Sequence, residues 1–181
     1  LGEVLGNPGA VKTLKEWAVS WDSGFPQKRA VVLIGTPGIG KTSAALALAS
    51  DMGWGVVEMN ASDQRTGGAI EDIALRGAMF NTFSDAGDYL RSSEGGRKLI
   101  ILDEADNLFG RQDRGAIPAI VKLITETKQP VILIVNDFYE LSRRSSTIKN
   151  RTLQIEFRRP QVNTVVKALA AIAKTEGVDI K

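Results

Sequence analysis

Ala30-Val-Val-Leu-Ile34, Gly35-Thr-Pro-Gly-Ile-Gly-Lys-Thr42 and Ser43-Ala-Ala-Leu-Ala-Leu-Ala-Ser50 follow one another without a break. The first reads as an apolar strand, the second as a glycine-rich loop ending in Gly-Lys-Thr, the third as an alanine- and leucine-rich helix. A phosphate-binding P-loop needs this order. The loop has to wrap its backbone N–H groups around a phosphate chain, and a Cβ at Gly35 or Gly40 would obstruct the backbone path or the anion. The helix that starts near Gly40 points its free N–H groups and the positive end of its dipole at the same phosphates. Lys41 supplies a point charge for the β- and γ-phosphates, and Thr42 a hydroxyl for Mg²⁺.

A second element belongs with the first. Leu99-Ile-Ile-Leu-Asp103-Glu104 is an apolar run that ends in two acids. On a P-loop scaffold it has the form of a Walker B strand. Asp103 would hold Mg²⁺ opposite Thr42, and Glu104 would orient and polarise the attacking water. Val131-Ile-Leu-Ile-Val135 ends in Asn136. An amide at the tip of a neighbouring strand can touch the γ-phosphate or the lytic water, whereas Asn136-Asp137 is equally good turn chemistry. Neither apolar run alternates with polar residues. Strands covered on both faces read this way, which predicts a parallel sheet flanked by helices.

Bulk properties narrow the chemistry. The chain has 181 residues, 43% hydrophobic and 24% charged, enough for one α/β domain and a piece of a second. Net charge is only +2, so a nucleic-acid surface would have to come from local clustering. With no cysteine and no histidine, catalysis rests on carboxylates, lysine, arginine and backbone. The apolar runs are strand-sized, which argues against a membrane span, and the absence of a signal peptide fits a cytosolic protein. The start at Leu1 and the end just after a helix read as an excised fragment. Helices are also expected at Val11 to Ala18, Ala69 to Phe80, Ile117 to Ile124 and Val162 to Lys174, with short strands at Val56 to Asn60 and Leu153 to Phe157.

With these elements placed, the chain resembles the clamp-loader branch of the AAA+ ATPases, and is most similar to the archaeal-type large subunit of replication factor C. The likeness is carried by Gly35 to Ser43, Glu58-Met-Asn-Ala-Ser-Asp-Gln-Arg65, Leu102-Asp-Glu-Ala-Asp-Asn107, Asp113-Arg-Gly115 and Asn136-Asp137. It implies a P-loop NTPase fold with a five-stranded parallel sheet in order 5-1-4-3-2. Residues 1–159 would form the AAA+ core and 160–181 the truncated start of a helical lid. It implies an ATP- and Mg²⁺-dependent ATPase that works with small clamp-loader subunits, a sliding clamp and a primed DNA junction, and no membrane. The compartment would be the cytoplasm, at the nucleoid, in an archaeon and the nucleus in a eukaryote.

The resemblance also distributes roles. Gly35, Thr36, Pro37, Gly38, Ile39, Gly40, Lys41, Thr42 and Ser43 would cradle the nucleotide, with Leu5 and Gly6 as the surviving part of an adenine pocket. Thr42 and Asp103 would hold the metal; Glu104, Lys41 and Asn136 would be catalytic. Asn60 would either hold Glu104 back until DNA arrives or simply cap its strand. Arg151 lies where small subunits carry an arginine finger, but its frame is Asn150-Arg-Thr152, which also suits a plain surface arginine. Arg111, Arg114 and Gly115 would meet DNA phosphates, or Asp113 would merely cap the following helix. Arg65 and Arg76 are weaker DNA candidates. Met79 and Phe83 would anchor the clamp, or Phe83 would fold into the core. A different AAA+ motor, such as a Holliday-junction branch-migration helicase, is the alternative, and would make Arg151 indispensable. A GTPase lacks support because no Asn-Lys-x-Asp motif occurs, and a DEAD-box helicase because its flanking motifs are missing.

Overall fold

The computed structural model describes residues 1, 4, 6–60, 82–83, 89–90, 96–107, 115–175 and 177, with backbone alone at 82–83, 89–90 and 171–172. Five parallel strands form the central sheet: β1 (Ala30–Ile34), β2 (Gly55–Asn60), β3 (Lys98–Asp103), β4 (Val131–Val135) and β5 (Thr152–Glu156). Their spatial order is β2-β3-β4-β1-β5, the 5-1-4-3-2 arrangement expected from the sequence. A separate two-residue ribbon pairs Thr82–Phe83 with Tyr89–Leu90.

The helices are α1 (Pro8–Val19), α2 (Lys41–Met52), α3 (Ala116–Glu126), α4 (Tyr139–Arg144), α5 (Ser146–Arg151) and α6 (Val162–Thr175). Each interior strand sends alternate side chains into two separate cores. Val31, Leu33, Leu99, Ile101, Ile132 and Ile134 face α1 and α2, where they meet Leu14, Trp17 and Leu48. Val32, Ile100, Leu102, Val131, Leu133 and Val135 face the opposite way, against Ile120 and Leu123 of α3, Leu141 of α4 and Ile148 of α5. Both faces are therefore dry, which is why these strands carry no polar alternation. Burying one such side chain contributes about 1.5–3 kcal/mol relative to leaving it exposed. Among the described residues, no helix is long and apolar enough to cross a membrane.

The ends of the strands fix where chemistry can occur. β1 pairs with β4 from Ala30↔Val131 to Ile34↔Val135, and β2 with β3 from Gly55↔Lys98 to Asn60↔Asp103. Gly35, Glu104 and Asn136 thus leave the sheet at the same edge. A crevice beyond the carboxyl ends of parallel strands is where such folds bind ligands. The helix expected over Ala69 to Phe80 lies outside the described residues.

Candidate nucleotide site

The loop between β1 and α2 is shaped by its glycines for two different reasons. At Gly35, φ is 150° and a Cβ would come within 2.4 Å of the Phe157 carbonyl oxygen and 2.6 Å of Ile39 Cδ1. That glycine makes room for the chain leaving β5. At Gly40, φ is 90° but a Cβ would meet no protein atom within 4 Å. The backbone path is thus unobstructed there, and the requirement the structure adds is conformational: the left-handed backbone turns the chain into α2 directly before Lys41.

Lys41 opens α2 and is buried, at 6% exposure. Its ammonium donates to the carbonyl oxygens of Gly35 and Thr36, the latter at 2.9 Å, and reaches Asn136 Oδ1 at 3.4 Å. Burial lowers its pKa below the ordinary lysine value, with partial opposition from the Asp103 and Asp106 carboxylates. Thr42 Oγ1 donates to Asp103 Oδ2 at 2.8 Å, linking the P-loop helix to the end of β3. The other oxygen, Asp103 Oδ1, accepts the Glu104 backbone N–H at 2.8 Å.

Glu104 is the one non-glycine residue among those described with a positive φ, 52°. Left-handed backbone costs an ordinary residue roughly 1–2 kcal/mol. The Asp103 bond to its N–H and a short 3₁₀ turn over Ala105–Asn107 hold it there. Asn107 donates its backbone N–H to the Glu104 carbonyl at 2.9 Å and its side-chain amide to Glu104 Oε2 at 3.2 Å. Asp106, in the same turn, accepts the backbone N–H groups of Asn136 and Asp137 on Oδ2 at 2.8 and 3.2 Å.

Pro37, Lys41, Thr42, Asp103, Glu104 and Asn136 line one cavity of about 360 Å³. A cavity of about 470 Å³ adjoins it, sharing Gly38, Gly40 and Ser43 and adding Val4, Ala47 and Pro160. The first is polar and the second predominantly apolar, a division suited to phosphates and a base. Val4, Ala47 and Pro160 had no signal in the sequence, because three distant segments assemble them. Asn7 makes that assembly: its Nδ2 donates to the Arg158 carbonyl at 3.0 Å and its Oδ1 accepts the Arg158 N–H at 2.7 Å. Gly6 backs this region, since a Cβ there would come within 2.5 Å of Pro160 Cβ. Leu5 lies outside the described residues.

The remaining candidates are scattered. Asn60 pairs in register with Asp103, one residue before Glu104. Arg151 is exposed and directly precedes Thr152, which pairs with Ala30 at the start of β1. It therefore sits at the sheet end opposite the phosphate cavity. Gly115, at φ 105°, is the residue that precedes the first turn of α3, and Asp113 lies outside the described residues. Arg65, Arg76, Met79, Arg111 and Arg114 lie outside the described residues, as does the Phe83 side chain.

A strand–loop–helix with a buried lysine, facing a strand that ends in paired acids, defines a P-loop nucleotide-binding domain. Residues 31–157 match the model of the ATPase family associated with various cellular activities, and the chain belongs to that AAA family. Within it, the chain is 52% identical over 178 residues to the replication factor C large subunit of Methanosarcina mazei, covering 98% of this chain and 27% of that protein. It is 48% identical to the protein of that name from Methanocella arvoryzae (98% and 30%) and 42% identical to the one from Methanothrix thermoacetophila (99% and 36%). The chain thus spans about a third of the length of these relatives. A solved structure of the Aeropyrum pernix ORC1 protein in complex with DNA shares the fold, with a TM-score of 0.62, 19% identity, and coverage of 92% of this chain and 48% of that one.

Proposed function

We propose that this chain is the ATP-binding and ATP-hydrolysing module of a DNA clamp-loader large subunit, acting with small loader subunits to open or close a sliding clamp on primed DNA. The observation that carries the ATPase reading is the meeting of Lys41, Thr42 and Asp103 in one cavity, with Thr42 Oγ1 and Asp103 Oδ2 2.8 Å apart. The similarity of 42–52% to replication factor C large subunits supports the loader assignment.

The donor set fits Mg²⁺. A threonine hydroxyl and a carboxylate are hard oxygen ligands, and Mg²⁺ in such sites takes one or two protein oxygens besides phosphate and water. Thr42 and Asp103 would hold it, and when bound it would neutralise charge on the β- and γ-phosphates. Lys41 binds the same phosphates, while the backbone N–H groups at the start of α2 orient them. Glu104 accepts a hydrogen bond from the attacking water and orients it towards the γ-phosphorus. Asn136 reports the γ-phosphate to β4. The cavity lined by Val4, Ala47 and Pro160 takes the adenine.

Two amides bear on Glu104. Asn107 bonds its carboxylate and so competes with the water for that oxygen. Asn60, beside Asp103, is the second, as a switch residue. Residues 160–181 belong to the beginning of a helical lid, consistent with the exposed Val162, Val166 and Leu169 on α6. Arg151, remote from its own phosphate cavity, serves a neighbouring subunit or the solvent. Arg111, Arg114 and Gly115 are the DNA candidates, and Met79 and Phe83 the clamp candidates.

The test is ATP turnover by the full-length protein with its small partners. Stimulation by primed DNA plus clamp, above either alone, is the expected result. Turnover indifferent to both would remove the loader assignment.

A further inference from the structure

We infer that Asp106 is a positioning residue for hydrolysis: it sets the tip of β4 so that Asn136 faces the γ-phosphate. The inference rests on the reading of Asn136 given above. The need for such a residue follows from the sheet. β3 and β4 are paired from Ile100↔Val131 to Leu102↔Leu133, and the ladder stops there. Val135 and Asn136 continue past that point, so the N–H groups of Asn136 and Asp137 receive nothing from β3's backbone ladder. Both residues are exposed. On its other side β4 stays paired with β1 through Ile34↔Val135, and the Gly35 N–H donates to the Val135 carbonyl at 3.2 Å, so the two N–H groups beyond that point are the ones that need a further tie.

Asp106 ties it. One carboxylate oxygen accepts both N–H groups, at 2.8 Å from Asn136 and 3.2 Å from Asp137, across 30 and 31 residues of sequence. Hydrogen bonds to an ionised acceptor are about twice as strong as neutral ones. The tie joins the two strand tips that carry the chemistry, because Asp106 sits in the 3₁₀ turn that begins directly after Glu104. A shift at Asn136 is therefore transmitted to the turn beside Glu104, and the reverse. Its second oxygen, Oδ1, is buried and takes no hydrogen bond from the described residues. Turn chemistry beyond the tie is local: Asp137 Oδ1 accepts the Tyr139 N–H at 2.8 Å.

The experiment measures single-turnover ATP hydrolysis and binding of a non-hydrolysable ATP analogue, using the full-length protein in its assembly. Asp106→Ala is expected to slow hydrolysis by about tenfold or more, the scale of a small misplacement of a catalytic group. Analogue affinity should stay within about twofold, since no binding group is removed. Asp106→Asn retains an oxygen for both N–H groups and should recover most of the rate. Combining Asp106→Ala with Asn136→Ala should be no slower than Asn136→Ala alone. Multiplicative losses in the double variant would overturn the inference. So would a parallel loss of affinity and rate in both Asp106 variants, the pattern of a merely structural acid. A slow Asn136→Ala beside a normal Asp106→Ala removes this inference and leaves the role of Asn136 intact. A normal Asn136→Ala removes both.

Discussion

Thr42 Oγ1 and Asp103 Oδ2 stand 2.8 Å apart, joined by a hydrogen bond between residues 61 positions apart in the chain. One belongs to the first turn of α2, the other to the last residue of β3. Nothing in local sequence brings a hydroxyl and a carboxylate together at that spacing. The sheet order does so, by placing β4 alone between β1 and β3. The pair offers two hard oxygens in the cavity that also holds the Lys41 ammonium, the arrangement on which the proposed Mg²⁺ and triphosphate site rests.

Replacing Lys41 with alanine should weaken triphosphate binding by more than about tenfold, since the lost contact is charge-assisted and buried. Titration of the full-length protein with a fluorescent ATP analogue measures it. Affinity equal to that of the parent would dispose of the P-loop assignment.

Glu104→Gln separates binding from chemistry. The amide keeps the size of the side chain but cannot polarise water as a carboxylate does. Turnover should fall by about 10²-fold or more, with analogue binding retained. Steady-state hydrolysis at saturating ATP is the readout, and normal turnover would take Glu104 out of the mechanism.

Asn107→Ala should act in the opposite direction. Its amide holds Glu104 Oε2 at 3.2 Å on an exposed turn, a contact that contributes roughly 0.5–1 kcal/mol. Losing it should raise hydrolysis in the absence of DNA and clamp by a few-fold. A slower variant would show instead that Asn107 supports the working pose of Glu104.

The two kinds of loop glycine should respond differently to alanine. At Gly35 the new Cβ would collide with Phe157 backbone at 2.4 Å, and at Gly38, where φ is 74°, it would meet nothing within 4 Å. Gly38→Ala should then cost only the left-handed backbone, about 1–2 kcal/mol, and Gly35→Ala clearly more. Thermal unfolding of the two variants ranks them. Equal losses would contradict the packing role given to Gly35.

The readable parts of this protein are those in which chemistry and periodicity coincide in a short stretch. Residues 30–50 carry strand, loop and helix in one piece, and the runs ending at Asp103 and Asn136 show double burial directly. The sheet order is legible only through the resemblance to clamp loaders, since no local pattern encodes which strands are neighbours. What escaped was everything assembled from distant segments. The apolar cavity needs Val4, Ala47 and Pro160 to meet, and that depends on two hydrogen bonds between Asn7 and Arg158. Asp106 carries no signal of its own within Leu102-Asp-Glu-Ala-Asp-Asn107, because its partners are backbone N–H groups thirty residues away. At Gly40 the structure adds a left-handed φ of 90° to the reasons legible in the sequence. A backbone angle leaves no trace in composition beyond the glycine itself.

The most direct measurement is a crystal structure of the full-length protein with a non-hydrolysable ATP analogue and Mg²⁺. One triphosphate should lie in the cavity between Lys41 and Asn136, with a single cation flanked by Thr42 Oγ1 and Asp103. Nucleotide bound elsewhere, or a cation distant from both of those oxygens, would contradict the account.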